Sequence, residues 1–212
     1  MTLISLTIFV LVSLLLLLVF EYTVPKWLRY FFKPLTLLLI IAIVWLAPRP
    51  ISAHYRQFVI IGLGLSLIGD TFLLFPNRWF LQGLFSFLCA HICYIIAFTG
   101  DLGSDFSLLP IVILVLVAIL FTGTAWRHLG SVRFPVIVYT ILILVMVWVA
   151  AERYIQVGSP SSLFGLCGAV LFLISDGLLA INRFMRPFRV AQAVILTTYF
   201  TAQWLIALSV KG

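Results

Sequence analysis

Charge is what this chain has least of. Only 9% of its 212 residues are Asp, Glu, Lys or Arg, while 64% are hydrophobic and the mean hydropathy is +1.27; a soluble domain carries roughly 25% charged residues. So little charge excludes a water-facing surface, and the chain reads as an integral membrane protein. Acids are the scarcest charges, six against thirteen Lys and Arg, for a net charge of +7. A basic surplus suits nucleic acid, but here the cations sit in short loops between apolar runs, where they mark topology instead. No nucleic-acid partner is expected. The three cysteines, Cys89, Cys93 and Cys167, fall inside apolar runs without metal-type spacing, which excludes a zinc ribbon or a disulfide framework. Of His54, His91 and His128, only His91 lies in an apolar run, too few for the usual three-ligand zinc site; neither a metal nor a cofactor is expected. No Lys or Arg precedes the first apolar run, Met1 to Phe20, and no clear cleavage site follows it. It reads as a retained first helix, not a signal peptide.

What the chain does have is repeated apolar runs of about 20 residues, the length of membrane helices and twice that of barrel strands, which also alternate. The expected fold is all-α: a polytopic membrane helix bundle of about eight transmembrane helices, forming a single integral membrane domain over residues 1–212. The spans run roughly Leu3 to Tyr22, closed by Val24-Pro25-Lys26, then Leu28 to Ala47, Tyr55 to Phe75 and Trp79 to Phe98. Leu108 to Trp126, Phe134 to Ala151, Ser162 to Asn182 and Phe188 to Leu208 follow. Glu152-Arg153 marks the sixth exit, and Glu21 and Glu152 read as solvated interface residues. Loops after odd-numbered spans hold Lys26, Arg29, Lys33, Arg78, Arg127, Arg133, Arg183, Arg186 and Arg189; the other side holds Arg49, Arg56, Arg153 and Lys211. That asymmetry places the more basic loops in the cytoplasm and both termini outside.

Two acids stand apart from the rest. Asp70 ends the phrase Gly62-Leu63-Gly64-Leu65-Ser66-Leu67-Ile68-Gly69-Asp70, and Asp176 follows Gly168 by the same eight residues, again with Leu-Ile and a small residue before it. An acid at membrane depth costs a few kcal/mol on insertion scales, so it usually faces a polar cavity or a partner. From 70 to 176 is a step of 106, half the chain length. A parallel duplication into two four-helix halves would produce it, and so would chance resemblance between apolar segments. Gly62, Ser66, Gly69 and Asp70 share one face of span three, and Gly165, Gly168, Ser175 and Asp176 one face of span seven, stripes suited to close helix packing. Both acids should point into the bundle at matching depth near the basic end. The other deep polar residues are Ser86, His91 and Tyr94 on span four, Tyr139 on span six, and the stripe Gln192, Tyr199 and Gln203 on span eight. A pocket lined by Asp70, Asp176, His91, Tyr94 and Tyr199 is geometrically open, with Lys33, Arg78 and Arg183 near its mouth.

Two carboxyls close together in apolar surroundings divide the work, one keeping its proton and one giving it up. That pair suits hydrolysis through an oxocarbenium-like transition state. A serine nucleophile is disfavoured, because Ser66 and Ser175 lack the Gly-x-Ser-x-Gly elbow. Other readings use the same residues: proton or cation coupling in a membrane transporter, or a non-catalytic lipid-binding scaffold in which the acids only hold helices together. Tyr94, Tyr199 and the glutamines equally suit interhelical hydrogen bonding, and Lys33 equally suits a snorkelling anchor.

The chain resembles the YhhN-like membrane proteins that include the lysoplasmalogenases. The resemblance rests on Phe32-Lys33-Pro34-Leu35-Thr36, Gly62 to Asp70, Ala90-His91-Ile92-Cys93-Tyr94, Gly168-Ala169 through Ser175-Asp176, Arg183-Phe184 and Thr198-Tyr199-Phe200-Thr201-Ala202-Gln203, and covers most of the chain. It implies hydrolysis of the vinyl ether bond of a lysoplasmalogen, or a related ether or lyso lipid, to a fatty aldehyde and a glycerophospho-headgroup compound. It further implies Asp70 and Asp176 as the acid/base pair, Lys33 toward the substrate phosphate, and Ser66, His91, Tyr94, Tyr199 and Gln203 as substrate-pocket residues. A lysophospholipid substrate, the lipid bilayer and a bacterial cell membrane are the surroundings it implies.

Overall fold

The computed structural model describes residues 3–23 and 27–212, without the side chains of Thr23, Phe121 and Thr122. Eight helices make up most of it: α1 Leu3–Thr23, α2 Trp27–Trp45, α3 Ala53–Leu73, α4 Pro76–Thr99, α5 Leu108–Ala125, α6 Arg133–Val157, α7 Pro160–Ala180 and α8 Ala191–Leu208. All eight are long and apolar enough to cross a membrane, as a chain with few charges and many 20-residue apolar runs requires. The closing segment Val24-Pro25-Lys26, and with it Lys26 of the cation count, lies outside the described residues. Short connections alternate the helix directions, so the described connections at 74–75, 126–132 and 181–190 share one end, called the basic end below, and those at 46–52, 100–107 and 158–159 share the other.

Two boundaries differ from the sequence expectation. Helix α6 runs on to Val157, and Glu152 and Arg153 lie within it at 0% and 1% exposure instead of marking an exit to solvent. Contacts from other segments, described below, make their burial tolerable. Helix α7 continues through a π-helical turn, Ile181–Met185, closed by the Arg186 amide on the Ile181 carbonyl at 2.9 Å. Pro187 cannot donate a helical hydrogen bond, and α8 starts only at Ala191.

Glycines set the tightest packing. A Cβ at Gly69 would come within 2.8 Å of the Phe87 ring on α4, and one at Gly168 within 2.9 Å of the Ala202 carbonyl on α8. The predicted small-residue stripes are therefore where α3 meets α4 and α7 meets α8, the two closest helix pairs. Helix α2 joins α1, α3 and α8, while α6 joins α5, α7 and α4. These are the same neighbour relations shifted by four helices. The core between them holds Leu37, Ile40, Leu63, Phe172, Phe200 and Ile206, all at 0% exposure. Much of α1 and most of α5 face outward with large apolar side chains, as expected of surfaces in contact with lipid.

At the end away from the basic connections, polar groups bond to one another. Arg153 donates to the Asp101 carboxylate at 3.1 and 3.2 Å from Nη2 and Nε, and from Nη1 to the Tyr55 hydroxyl at 3.4 Å. Tyr55 meets the Ser209 hydroxyl at 2.8 Å, and Ser161 donates to the Ser209 carbonyl. Glu152 accepts from the Ser107 amide at 3.0 Å and from Trp148 Nε1 at 3.3 Å. This knot ties α3, α6, α7, the end of α8 and the 100–107 connection together.

Candidate active site

Asp70 lies one turn from the end of α3 and Asp176 one turn from the end of α7, so both reach the basic end at matching depth. Asp70 is 2% exposed and held on both oxygens: Lys33 Nζ is 2.9 Å from Oδ1, and the Tyr199 hydroxyl donates to Oδ2 at 2.9 Å. Three helices therefore converge on one carboxylate, α2 through Lys33, α3 through Asp70 itself and α8 through Tyr199. Lys33 is itself 7% exposed. A buried ammonium and carboxylate offset each other's desolvation only in such direct contact.

Asp176 has a different setting. It is half-buried, and its Oδ2 accepts a hydrogen bond from the hydroxyl of Tyr139 on α6. No cation pairs with Asp176 among the described residues. The two donors occupy corresponding places: from Lys33 to Tyr139 is the same step of 106 as from Asp70 to Asp176. Each acid is thus met by the residue at one and the same position of the preceding even-numbered helix, an ammonium in one half and a phenol in the other.

Both acids line one cavity of about 380 Å³ at the basic end. Its walls include Glu21, Arg29, Lys33, Asn182, Arg183, Gln192 and Tyr199. Arg29 donates from Nη1 to Glu21 Oε1 at 3.0 Å. Arg183, carried out by the π-helical turn, lies over the Phe80 ring at 4.0 Å and donates to the Pro76 carbonyl at 3.1 Å. π-helical turns often occur at functional sites. A second cavity, about 360 Å³ and almost wholly apolar in its lining, runs between α4, α5, α6 and α7 and also contains Asp176 and Tyr139. Leu73, Phe80, Phe87, Asp176 and Leu179 belong to both cavities, so the two meet beside Asp176.

The sequence-predicted pocket residues divide into two layers. Lys33 and Tyr199 line the polar cavity with the acids. Ser66, His91, Tyr94 and Gln203 are buried farther from the basic end and line neither cavity. Tyr94 donates to Gln203 Oε1 at 2.7 Å. His91 sits edge-on to Phe172 and Tyr139, ring centroids 4.8 and 5.1 Å apart. Phe87 packs against Tyr199 and Phe172 in T-shaped contacts at 5.8 and 6.2 Å, and Phe87 and Tyr199 line the polar cavity. Arg78 lines neither cavity. Lys33, expected toward a substrate phosphate, pairs with Asp70 and lines the cavity together with Arg29 and Arg183.

Sequence reasoning passed over two residues of this site. Tyr139 was visible as a deep polar residue, and the 106-residue step applied to Lys33 would have pointed to it. Glu21, read as a solvated interface residue, has a side chain only 9% exposed and lines the cavity beside Arg29. A paired carboxylate and a free one look alike in sequence.

Chemically, the arrangement offers one carboxylate held by an ammonium, one carboxyl held by a phenol, and an apolar channel leading to the second. The sequence profile of the YhhN family matches residues 28–210. Membrane protein YhhN of Escherichia coli O157:H7 is 35% identical over 190 residues, covering 89% of this chain and 90% of its own. Lysoplasmalogenase TMEM86B of Homo sapiens is 32% identical over 188 residues, 87% of this chain and 76% of its own. Lysoplasmalogenase TMEM86A of Bos taurus is 32% identical over 161 residues, 71% and 64% respectively. No solved structure matches the chain. With a profile match across most of its length and relatives above 30% identity, this chain belongs to the YhhN family of multi-pass membrane proteins.

Proposed function

We propose that the protein hydrolyses the vinyl ether bond of a lysoplasmalogen, releasing a fatty aldehyde and a glycerophospho-headgroup compound, with Asp176 as general acid and Asp70 as general base. The observation that carries this reading is that two carboxyls with different partners share one cavity: Asp70 pairs with the Lys33 ammonium, while Asp176 meets a phenol and an apolar channel. Such a split is how two like groups take different roles.

The reaction begins when Asp176 gives its proton to the vinyl carbon remote from the ether oxygen, leaving an oxocarbenium ion. The adjacent Asp70 carboxylate stabilises that charge and takes a proton from the water that adds to it. The product is a hemiacetal. Asp70 then protonates the glycerol oxygen as it leaves, and the Asp176 carboxylate takes the hemiacetal hydroxyl proton as the aldehyde forms. Both acids return to their starting states, and one water is consumed. Tyr139 orients Asp176 and Tyr199 orients Asp70. A positioned acid and base typically contribute 10²- to 10⁴-fold each.

The transporter reading needs a path to both sides of the membrane. Against it stands the knot of Arg153, Asp101, Tyr55, Ser161 and Ser209, which fills the end opposite the cavity. The proposed setting is a bacterial cell membrane with the basic end in the cytoplasm, following the charge asymmetry of the loops. Purified protein in mild detergent, given lysoplasmenylethanolamine, should release aldehyde, and Asp70→Asn and Asp176→Asn should each abolish it while remaining folded. Aldehyde release that survives both substitutions would overturn the two-carboxyl mechanism. A native protein inactive on this substrate would overturn the vinyl ether assignment.

A further inference from the structure

We infer that the two cavities divide a single-chain lipid between them: the apolar one holds its hydrocarbon chain, and the polar one holds a zwitterionic headgroup, with Glu21 as the partner of the headgroup ammonium. This rests on the hydrolase reading for its reaction centre, but the binding geometry is independent of turnover. The two cavities meet beside Asp176. A lipid lying along this path presents its parts in order, headgroup at the rim, glycerol and vinyl ether at Asp176, and chain in the apolar arm. Each cavity falls in the size range of ligand pockets, roughly 300–1,000 Å³.

The polar arm carries both signs of charge. Arg29 and Arg183 face it from α2 and the π-helical turn, and guanidinium groups suit phosphate oxygens. A purely anionic headgroup would leave Glu21 opposing it. Among the described residues, Glu21 is engaged through Oε1 alone; Oε2 is buried without a hydrogen-bond partner, as is Arg29 Nε. Buried polar atoms left unpaired are costly, and the two residues that carry them, Glu21 and Arg29, both line this cavity. A phosphate joined to an ammonium by a two-carbon bridge supplies a partner of the right sign for each.

The apolar arm has a gap ready for a chain. A Cβ added to Gly177, in its wall, meets no atom within 4 Å. Helix α5, which supplies Val117 and Ala118 to the opposite wall, is otherwise mostly lipid-exposed, so a chain in the arm lies next to the bilayer.

The test uses a saturated alkyl ether of lysophosphoethanolamine, which binds but has no vinyl ether to protonate. Its affinity for the native protein is measured by tryptophan fluorescence in detergent, with sixteen- and eight-carbon chains, and with a matching alkyl glycerophosphate that lacks the ammonium. Filling the arm from either wall, by Gly177→Leu or Ala118→Phe, should weaken the long-chain analogue about tenfold more than the short one, since affinity grows with each methylene buried in the arm. Glu21→Gln should weaken the ethanolamine analogue about tenfold, as loss of a hydrogen bond to a charged group does, and leave the ammonium-free analogue as tight or tighter. Each variant is compared at native-like melting temperature, and the two arm variants stand in for each other should one fail to fold. Equal effects on long and short chains would remove the chain from this arm. Equal effects of Glu21→Gln with and without the ammonium would overturn its headgroup role. Neither result depends on aldehyde release, so absent turnover with the expected affinities would count against the hydrolase reading alone.

Discussion

The two ends of this bundle bury comparable sets of polar residues and use them in opposite ways. At one end Arg153 bonds to Asp101, Tyr55 and Ser161, and Tyr55 to Ser209, so the groups fill the space between helices. At the other, Asp70 bonds to Lys33 and Tyr199, and Asp176 to Tyr139, but beside a cavity that both acids line. The difference teaches that burial of a charge in a membrane protein is not by itself a mark of function. What separates the ends is whether the paired groups still face space that a ligand can enter.

The largest effect should come from the acids. Asp176→Asn and Asp70→Asn should each lower kcat by about 10³-fold or more, read as aldehyde release. They should differ in stability. Asp70→Asn leaves the Lys33 ammonium without its counter-ion, which costs about 3–5 kcal/mol in buried pairs, whereas Asp176→Asn removes no ion pair. Replacing the pair together, by Lys33→Met with Asp70→Leu, should restore much of the melting temperature while activity stays lost. A double variant as unstable as Asp70→Asn would show that the ion pair is not the cause.

Breaking the far knot should produce the reverse profile. Arg153→Met should lower stability by about 2–3 kcal/mol, because the guanidinium is nearly fully buried while Asp101 is partly exposed, and kcat should stay within about twofold. A matching fall in kcat at full occupancy of the folded state would erase the contrast between the ends. Smaller again is Tyr139→Phe, which takes the hydroxyl from Asp176 and should lower kcat by roughly tenfold with little change in melting. Smallest is Tyr55→Phe, which removes one hydroxyl from the knot, for about 1 kcal/mol of stability and unchanged turnover.

Much of this was legible in the chain itself. Eight apolar runs gave eight helices because backbone groups in lipid must bond within their own helix. Asp70 and Asp176 drew attention because charge at that depth is expensive, and the small residues around them marked close packing with α4 and α8. Helix ends were less legible. Charges at Glu152 and Arg153 looked like an exit to water, but partners from residues 55, 101, 107 and 161 carry them inside. His91 and Tyr94 share a helical sector with the acids' side of the bundle, yet Phe87, one turn nearer the basic end, lines the cavity in their place.

By itself, then, the sequence determined a membrane-spanning α-helical bundle with two acids at matching depth near its basic end, because hydropathy, helix period and charge asymmetry are local properties of the chain. Only the tertiary structure decided which partner each acid received, Lys33 for Asp70 and Tyr139 for Asp176, and that Glu21 faces a cavity while Glu152 does not. Those outcomes depend on contacts between helices far apart in the chain, whose relative rotation and depth are set by side-chain packing across interfaces that no single segment encodes.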